Sequence, residues 1–186
     1  MQTHTCSCSS VYNSKNTCWF NRFWKVRVPY NIILYAWLTW KNKTLTSKNL
    51  RKRGINGLGQ CVLCRMKEEN NLHILLLCPV AVLVWTKIYC LFSFTHISHE
   101  TIDACLIWWS QRPKRKLAIP LLIFWEIWKA RNFIIFDGKT PNVDHIMNNT
   151  ASSLRPLLQT NTVPHLVTHR KNASNISFPA SYFGGT

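Results

Sequence analysis

Apolar residues along the chain recur at helical rather than strand spacing, and Gly, Pro, Ser, Thr and Asn break them into short blocks. Residues 19–28 mix aromatics with bases, and Pro29 closes them. Over 31–40, Ile33, Trp37 and Trp40 fall on one stripe and predict a short helix. Thr46 is placed to cap a second helix over 47–53, with Gly54 at its C′ position and Leu50 as its inward anchor. Lys48, Arg51, Lys52 and Arg53 cover the rest of that helix. A Gly-containing turn over 55–59 leads to Cys61, and 70–77 reads as one or two helical turns. Pro79 suits the first position of a helix running towards Leu91, with Cys78 just before it. Thr101 is a cap for 102–109, and a basic connector surrounds Pro113. A long helix over 120–136 ends at Asp137-Gly138, and Thr140-Pro141 opens a last helix towards Ser153. The pattern predicts a mainly α fold. A loose lead-in, 1–18, precedes a small helical domain, 19–92; additional helices follow over 93–153, and then a disordered polar tail over 154–186.

Composition adds a sign to this picture. The chain has 186 residues, 47% of them hydrophobic, enough to bury a core. Lys and Arg number 23 against 7 Asp and Glu, a formal charge of +16. Twelve bases precede the first acid, Glu68. Self-repulsion on that scale calls for an external polyanion, and nucleic-acid phosphate is the commonest; the plain alternative is a solubilising charged face. Lys48, Arg51, Lys52, Arg53 and Arg65 are the candidate phosphate contacts. Trp24, Trp37 and Trp40 could stack single-stranded bases, although their helical spacing favours core packing. Arg112-Pro113-Lys114-Arg115-Lys116 has the form of a short nuclear-import signal or of a solvated loop, which points to nucleus or cytoplasm.

Eight cysteines remain to be placed. Residues 1–14 have neither the basic n-region nor the apolar h-region of a secretory signal, so a non-secreted chain is expected, with cysteines used for metal or redox chemistry. Cys61-x-x-Cys64 can grip one ion from a tight turn. His73 and Cys78, with four residues between them, lie on one helical face or across a short helix and its end. The four make an S₃N set suited to tetrahedral Zn²⁺, closed and therefore structural. Each residue also has an ordinary reading: a redox dithiol for the cysteine pair, a core or surface imidazole for His73, a small buried hydrophobe for Cys78. A second site from His4, Cys6 and Cys8 is a weaker possibility. Glu68 and Glu69 read as shaping the turn rather than as catalytic acids. Residues 74–94 are nearly continuous apolar sequence and approach the length of a membrane span, but Pro79 and the charge of Lys87 oppose it.

Trp24-Lys25-Val26-Arg27-Val28-Pro29, Tyr35-Ala36-Trp37, and the run from Leu45 to Gly54 occur in order. Cys61-Val62-Leu63-Cys64, Glu68-Glu69, His73-Ile74-Leu75-Leu76-Leu77-Cys78 and Trp85 follow. This succession resembles the reverse-transcriptase zinc-binding domain of plant LINE-type (non-LTR) retrotransposon polyproteins over roughly residues 19–92. It continues more loosely through Phe124-Trp125-Glu126-Ile127-Trp128-Lys129-Ala130-Arg131-Asn132. The resemblance implies that Cys61, Cys64, His73 and Cys78 bind zinc, beside a reverse transcriptase that handles nucleic acid. The chain carries no polymerase aspartate pair and no endonuclease. Asp137 and Asp144 are too few acids after Glu126 for a two-metal ribonuclease H centre. A non-catalytic module is therefore expected. The alternative is a protein-interaction remnant exposing Trp108, Trp109, Trp125 and Trp128.

Overall fold

Helix dominates the computed structural model, which describes residues 19–56, 59–94, 99–138 and 142–159. A 3₁₀ turn, Phe20–Lys25, leads into α1, Tyr30–Trp40, and the short α2, Ser47–Arg51. A hairpin-like loop and a π-helical turn, His73–Leu77, precede α3, Pro79–Leu91. Then come α4, Ile102–Ser110, a 3₁₀ turn, Lys114–Leu117, α5, Ala118–Asp137, and α6, Val143–Gln159. Among the described residues no strand forms; a single antiparallel bridge joins Gln60 to Glu68. The mainly α expectation holds.

The spine is α5. Residues from Ala118 to Phe124 are all buried, so this stretch is apolar all round, as a helix must be when neighbours enclose it. It packs against α1, α3, α4, α6 and the π turn. Pro120 falls in its first turn, where the backbone N–H has no helical partner to lose. Gly138 ends the helix in the left-handed region at φ 65°, its N–H donating to the Ile134 carbonyl. Helix α6 lays Ile146, Thr150 and Leu154 inward at four-residue spacing.

Several local expectations shift. The buried stripe of α1 is Ile32, Ile33, Tyr35, Ala36 and Thr39, with Trp37 and Trp40 half-buried beside it. Helix α2 ends at Arg51, not at 53, and its inward residues are Ser47 and Asn49, with Leu50 only half-buried. Polar partners explain this: Asn49 donates to the carbonyls of Asn42 and Thr44. Thr46 makes no cap bond; the Glu69 carboxylate takes that place, accepting from the Ser47 N–H at 2.8 Å. Thr101 does cap α4, accepting from Ala104 at 3.0 Å. Trp109 is fully buried, and Trp125 and Trp128 pack on Tyr35, so these rings build core rather than an exposed aromatic surface. The apolar run 74–94 is broken at Cys78 and folds back on α5 and α6. Among the described residues no helix is long and apolar enough to cross a membrane. Helix α6 runs to Gln159, beyond the expected tail boundary at 154. The lead-in 1–18, with His4, Cys6 and Cys8, the rest of the tail, 160–186, and the expected start of α6 at Thr140-Pro141 lie outside the described residues.

Candidate metal centre

Two backbone devices bring the Cys/His set together. The first is the turn between Gln60 and Glu68. Cys61 N–H donates to the Lys67 carbonyl at 2.7 Å, and Glu69 N–H to the Gly59 carbonyl at 3.1 Å. Within the turn, Arg65 N–H returns to the Cys61 carbonyl at 2.7 Å, which forces Arg65 to φ 57°. Cys61 and Cys64 thereby share one side of a tight knuckle. An L-residue in that region is strained by about 1–2 kcal/mol, more when β-branched. Arg65→Gly is expected to be more stable than Arg65→Val by at least about 1 kcal/mol in chemical unfolding.

The second device is the π turn. Five residues along an α-helix would leave His73 and Cys78 about 140° apart. Here Cys78 N–H donates to the His73 carbonyl at 2.6 Å, closing a five-residue turn that sets one residue over the other. The expectation of a shared α-helical face is thus replaced by a wider turn with the same outcome. Asn70 starts it, its side chain accepting from His73 N–H at 2.9 Å. Trp85 holds it from α3, its indole N–H donating to the Leu75 carbonyl at 2.9 Å. Pro79 then opens α3 immediately after Cys78.

The result is a compact tetrad. The candidate ligand atoms of Cys61, Cys64, His73 and Cys78 all lie within 4.8 Å of one another. Cys61 Sγ and Cys78 Sγ are 3.9 Å apart, and Cys64 Sγ is 3.2 Å from His73 Nε2. A tetrahedral zinc with Zn–S bonds of about 2.3 Å needs sulfurs about 3.8 Å apart and slightly shorter S···N edges. The donor set and its spacing therefore fit the ion. Cys61, His73 and Cys78 are buried and Cys64 is half-buried. Hydrogen bonding with Cys78 holds the Cys61 thiol down to about 5 against its burial, helped by the N–H groups of Cys64 and Leu63. The same contact, with burial, pushes the Cys78 thiol up, while the Val80 and Ala81 N–H groups at the start of α3 favour its thiolate. Two sulfurs so close can both ionise only beside a cation, and the tetrad is able to bind a metal ion that would supply it. Cys90 is exposed and Cys105 is buried away from this set.

Sequence reasoning missed the group that anchors the turn to the spine. Glu69 is wholly buried and accepts from Arg131 of α5, at 2.7 Å from Nη2 and 3.3 Å from Nε. The prior signal was the group of charges Glu126, Lys129 and Arg131 that interrupts a helix apolar up to that point. Glu68, beside it, faces solvent and pairs with Arg51 at 2.8 Å and Lys48 at 3.6 Å. Lys52, Arg53 and Arg65 are exposed.

Residues 5–85 match a family described as zinc-binding in reverse transcriptase. The chain is also 27% identical to an Arabidopsis thaliana protein named "Putative ribonuclease H protein", the similarity covering 48% of this chain and 18% of that protein. The chain thus spans under a fifth of the length of this relative. No solved structure matches it. With the sulfur-and-imidazole tetrad in place, these likenesses are to a reverse-transcriptase zinc-binding domain over residues 5–85, and they are consistent with a retrotransposon-derived fragment.

Proposed function

We propose that Cys61, Cys64, His73 and Cys78 are the ligands of one structural zinc ion. The domain they stabilise, residues 19–92, then contacts nucleic-acid phosphate without sequence preference through Lys48, Arg51, Lys52, Arg53 and Arg65. The observation that carries this reading is the tetrad itself: four protein donors at tetrahedral spacing, three of them buried. Four protein ligands leave no open position, so the ion would tie chain segments together rather than activate a substrate. Zinc joins the knuckle to the π turn, and Glu69 reaches from that knuckle to Ser47, fixing the basic α2. The five bases are solvent-exposed. Glu68 pairs with Lys48 and Arg51, and the five bases outnumber it, so they leave this face net positive. The family description supports action beside a reverse transcriptase.

Fluorescence anisotropy of a labelled RNA across a salt series tests the phosphate contact. Affinity is expected to fall linearly in log–log form, and Lys52→Gln should reduce the slope by about one. Glu68 pairs with both Lys48 and Arg51. Glu68→Gln should therefore tighten binding by about three-fold at low salt, because it removes a competing carboxylate and a repulsive charge. Salt-insensitive binding, or none, removes the reading.

A further inference from the structure

We propose that Trp24 and Tyr30 form a stacking platform for the bases of a single-stranded nucleic acid, with Lys25 and Arg27 on the flanking phosphates. This rests on the nucleic-acid reading above and adds to it the strandedness of the ligand and the residues that sense it.

The chain's tryptophans are treated unequally. Trp40 stacks on the buried Phe20 at 5.2 Å with planes 10° apart, and its indole N–H donates to Asp103 at 2.7 Å. It belongs to the core. Trp24 meets the same Phe20 edge-on at 5.9 Å, which fixes its ring from behind, yet it stays 37% exposed. Tyr30 lies against it at 5.6 Å, with the two planes 33° apart, and is 66% exposed. Two large rings left partly in water, Tyr30 more than Trp24, forgo burial that a core position would have given them. The connection between them is ordered as well. Val26 and Val28 turn partly inward, while Lys25 and Arg27 are exposed. Pro29, at φ −52°, delivers Tyr30 directly into the first turn of α1. A preset platform of this kind costs little ordering on binding.

Aromatic faces bracketed by cations suit a polyanion whose own rings are free to stack. Single strands offer such rings; in a duplex the base faces are already taken. The absence of any acid before Glu68 makes the cationic flank complementary to phosphate.

The test is anisotropy of the zinc-loaded full chain with a labelled single-stranded 20-mer and with a duplex of the same length. Wild type, Tyr30→Ala, Trp24→Ala and Trp24→Phe are compared, with thermal unfolding as the control for folding. Tyr30→Ala is the cleaner variant because its ring is mostly in solvent. The proposal expects wild type to favour the single strand. It expects Tyr30→Ala and Trp24→Ala to lose about ten-fold in single-strand affinity with duplex affinity unchanged, and Trp24→Phe to retain most of the binding. Equal affinity for both ligands, or a folded Tyr30→Ala that binds single strands as wild type does, overturns the platform while leaving the phosphate contact standing. Failure to bind either ligand at low salt overturns both.

Discussion

Cys78→Ser is expected to abolish zinc binding and to lower the melting temperature by more than about 10 °C, the largest effect of any single substitution here. Apparent zinc-binding free energies of structural sites are about 10–16 kcal/mol, comparable with the whole stability of an ordinary domain. Cys78 separates the metal role from the local one. It is the N-cap of α3, and Ser is a better N-cap than Cys, so the cap is preserved or improved by the change. Loss of stability in this variant, matched by the same loss in chelated wild type, then reports the lost ligand. His73→Ala and Cys64→Ser should behave alike, and a chelator applied to wild type should reproduce the effect with loss of helical signal. Metal analysis should find about one zinc per chain in wild type and none in the three variants. Unchanged melting in all three would end the structural-zinc reading. The helices most exposed to the loss are α2 and the first turns of α3. Ser47 leans on Glu69 of the knuckle, and the buried Ile74, Leu75 and Leu76 lie in the π turn itself.

What the sequence made legible was chiefly what depends on neighbouring residues. Pro79 at a helix start, Thr101 as a cap and Gly138 as a left-handed stop follow from backbone chemistry that any chain obeys, and each is where the pattern put it. The set of Cys61, Cys64, His73 and Cys78 was visible because metal coordination restricts residue type and spacing together. The π turn was not, since nothing in His73-Ile74-Leu75-Leu76-Leu77-Cys78 distinguishes a hydrogen bond spanning five residues from one spanning four. Trp85 braces it from another helix, its indole N–H donating to the Leu75 carbonyl. The same limit explains α2. Its apolar anchor looked sufficient in isolation, but its orientation is decided by Asn49, Ser47 and a carboxylate twenty-two residues away in sequence. Partners at long range also decided between the two readings of the tryptophans: Phe20 and Asp103 claim Trp40, and Tyr35 claims Trp128.

Arg131→Met is expected to destabilise the protein by about 3–5 kcal/mol, the second largest effect. The Arg131 and Glu69 side chains are 5% and 0% exposed. Neither charge can turn to water when its partner is removed. Arg131 also donates to the Leu45 carbonyl at 3.2 Å and lies over the Trp128 ring at 4.7 Å, while Glu69 accepts from both the N–H and the hydroxyl of Ser47. The pair therefore joins α5, the loop before α2, α2 itself and the turn that carries Cys61 and Cys64. Arg131→Lys is no remedy, because an ammonium cannot serve both carboxylate oxygens and a carbonyl in the guanidinium's planar geometry. Glu69→Gln should cost a similar amount by stranding the guanidinium. Most of each cost is the uncompensated charge rather than the net worth of the bond, so the double variant Glu69→Gln/Arg131→Met should be clearly more stable than the sum of the singles predicts, with a coupling of at least about 2 kcal/mol. Denaturant unfolding of the four zinc-loaded proteins measures it. Additive single effects, or an Arg131→Met variant within about 1 kcal/mol of wild type, would show that α5 and the zinc-binding turn are not held together by this pair. Strong coupling would mean that the helix from Ala118 to Asp137, all of it beyond the family match that ends at 85, is part of the same folding unit as the candidate metal centre.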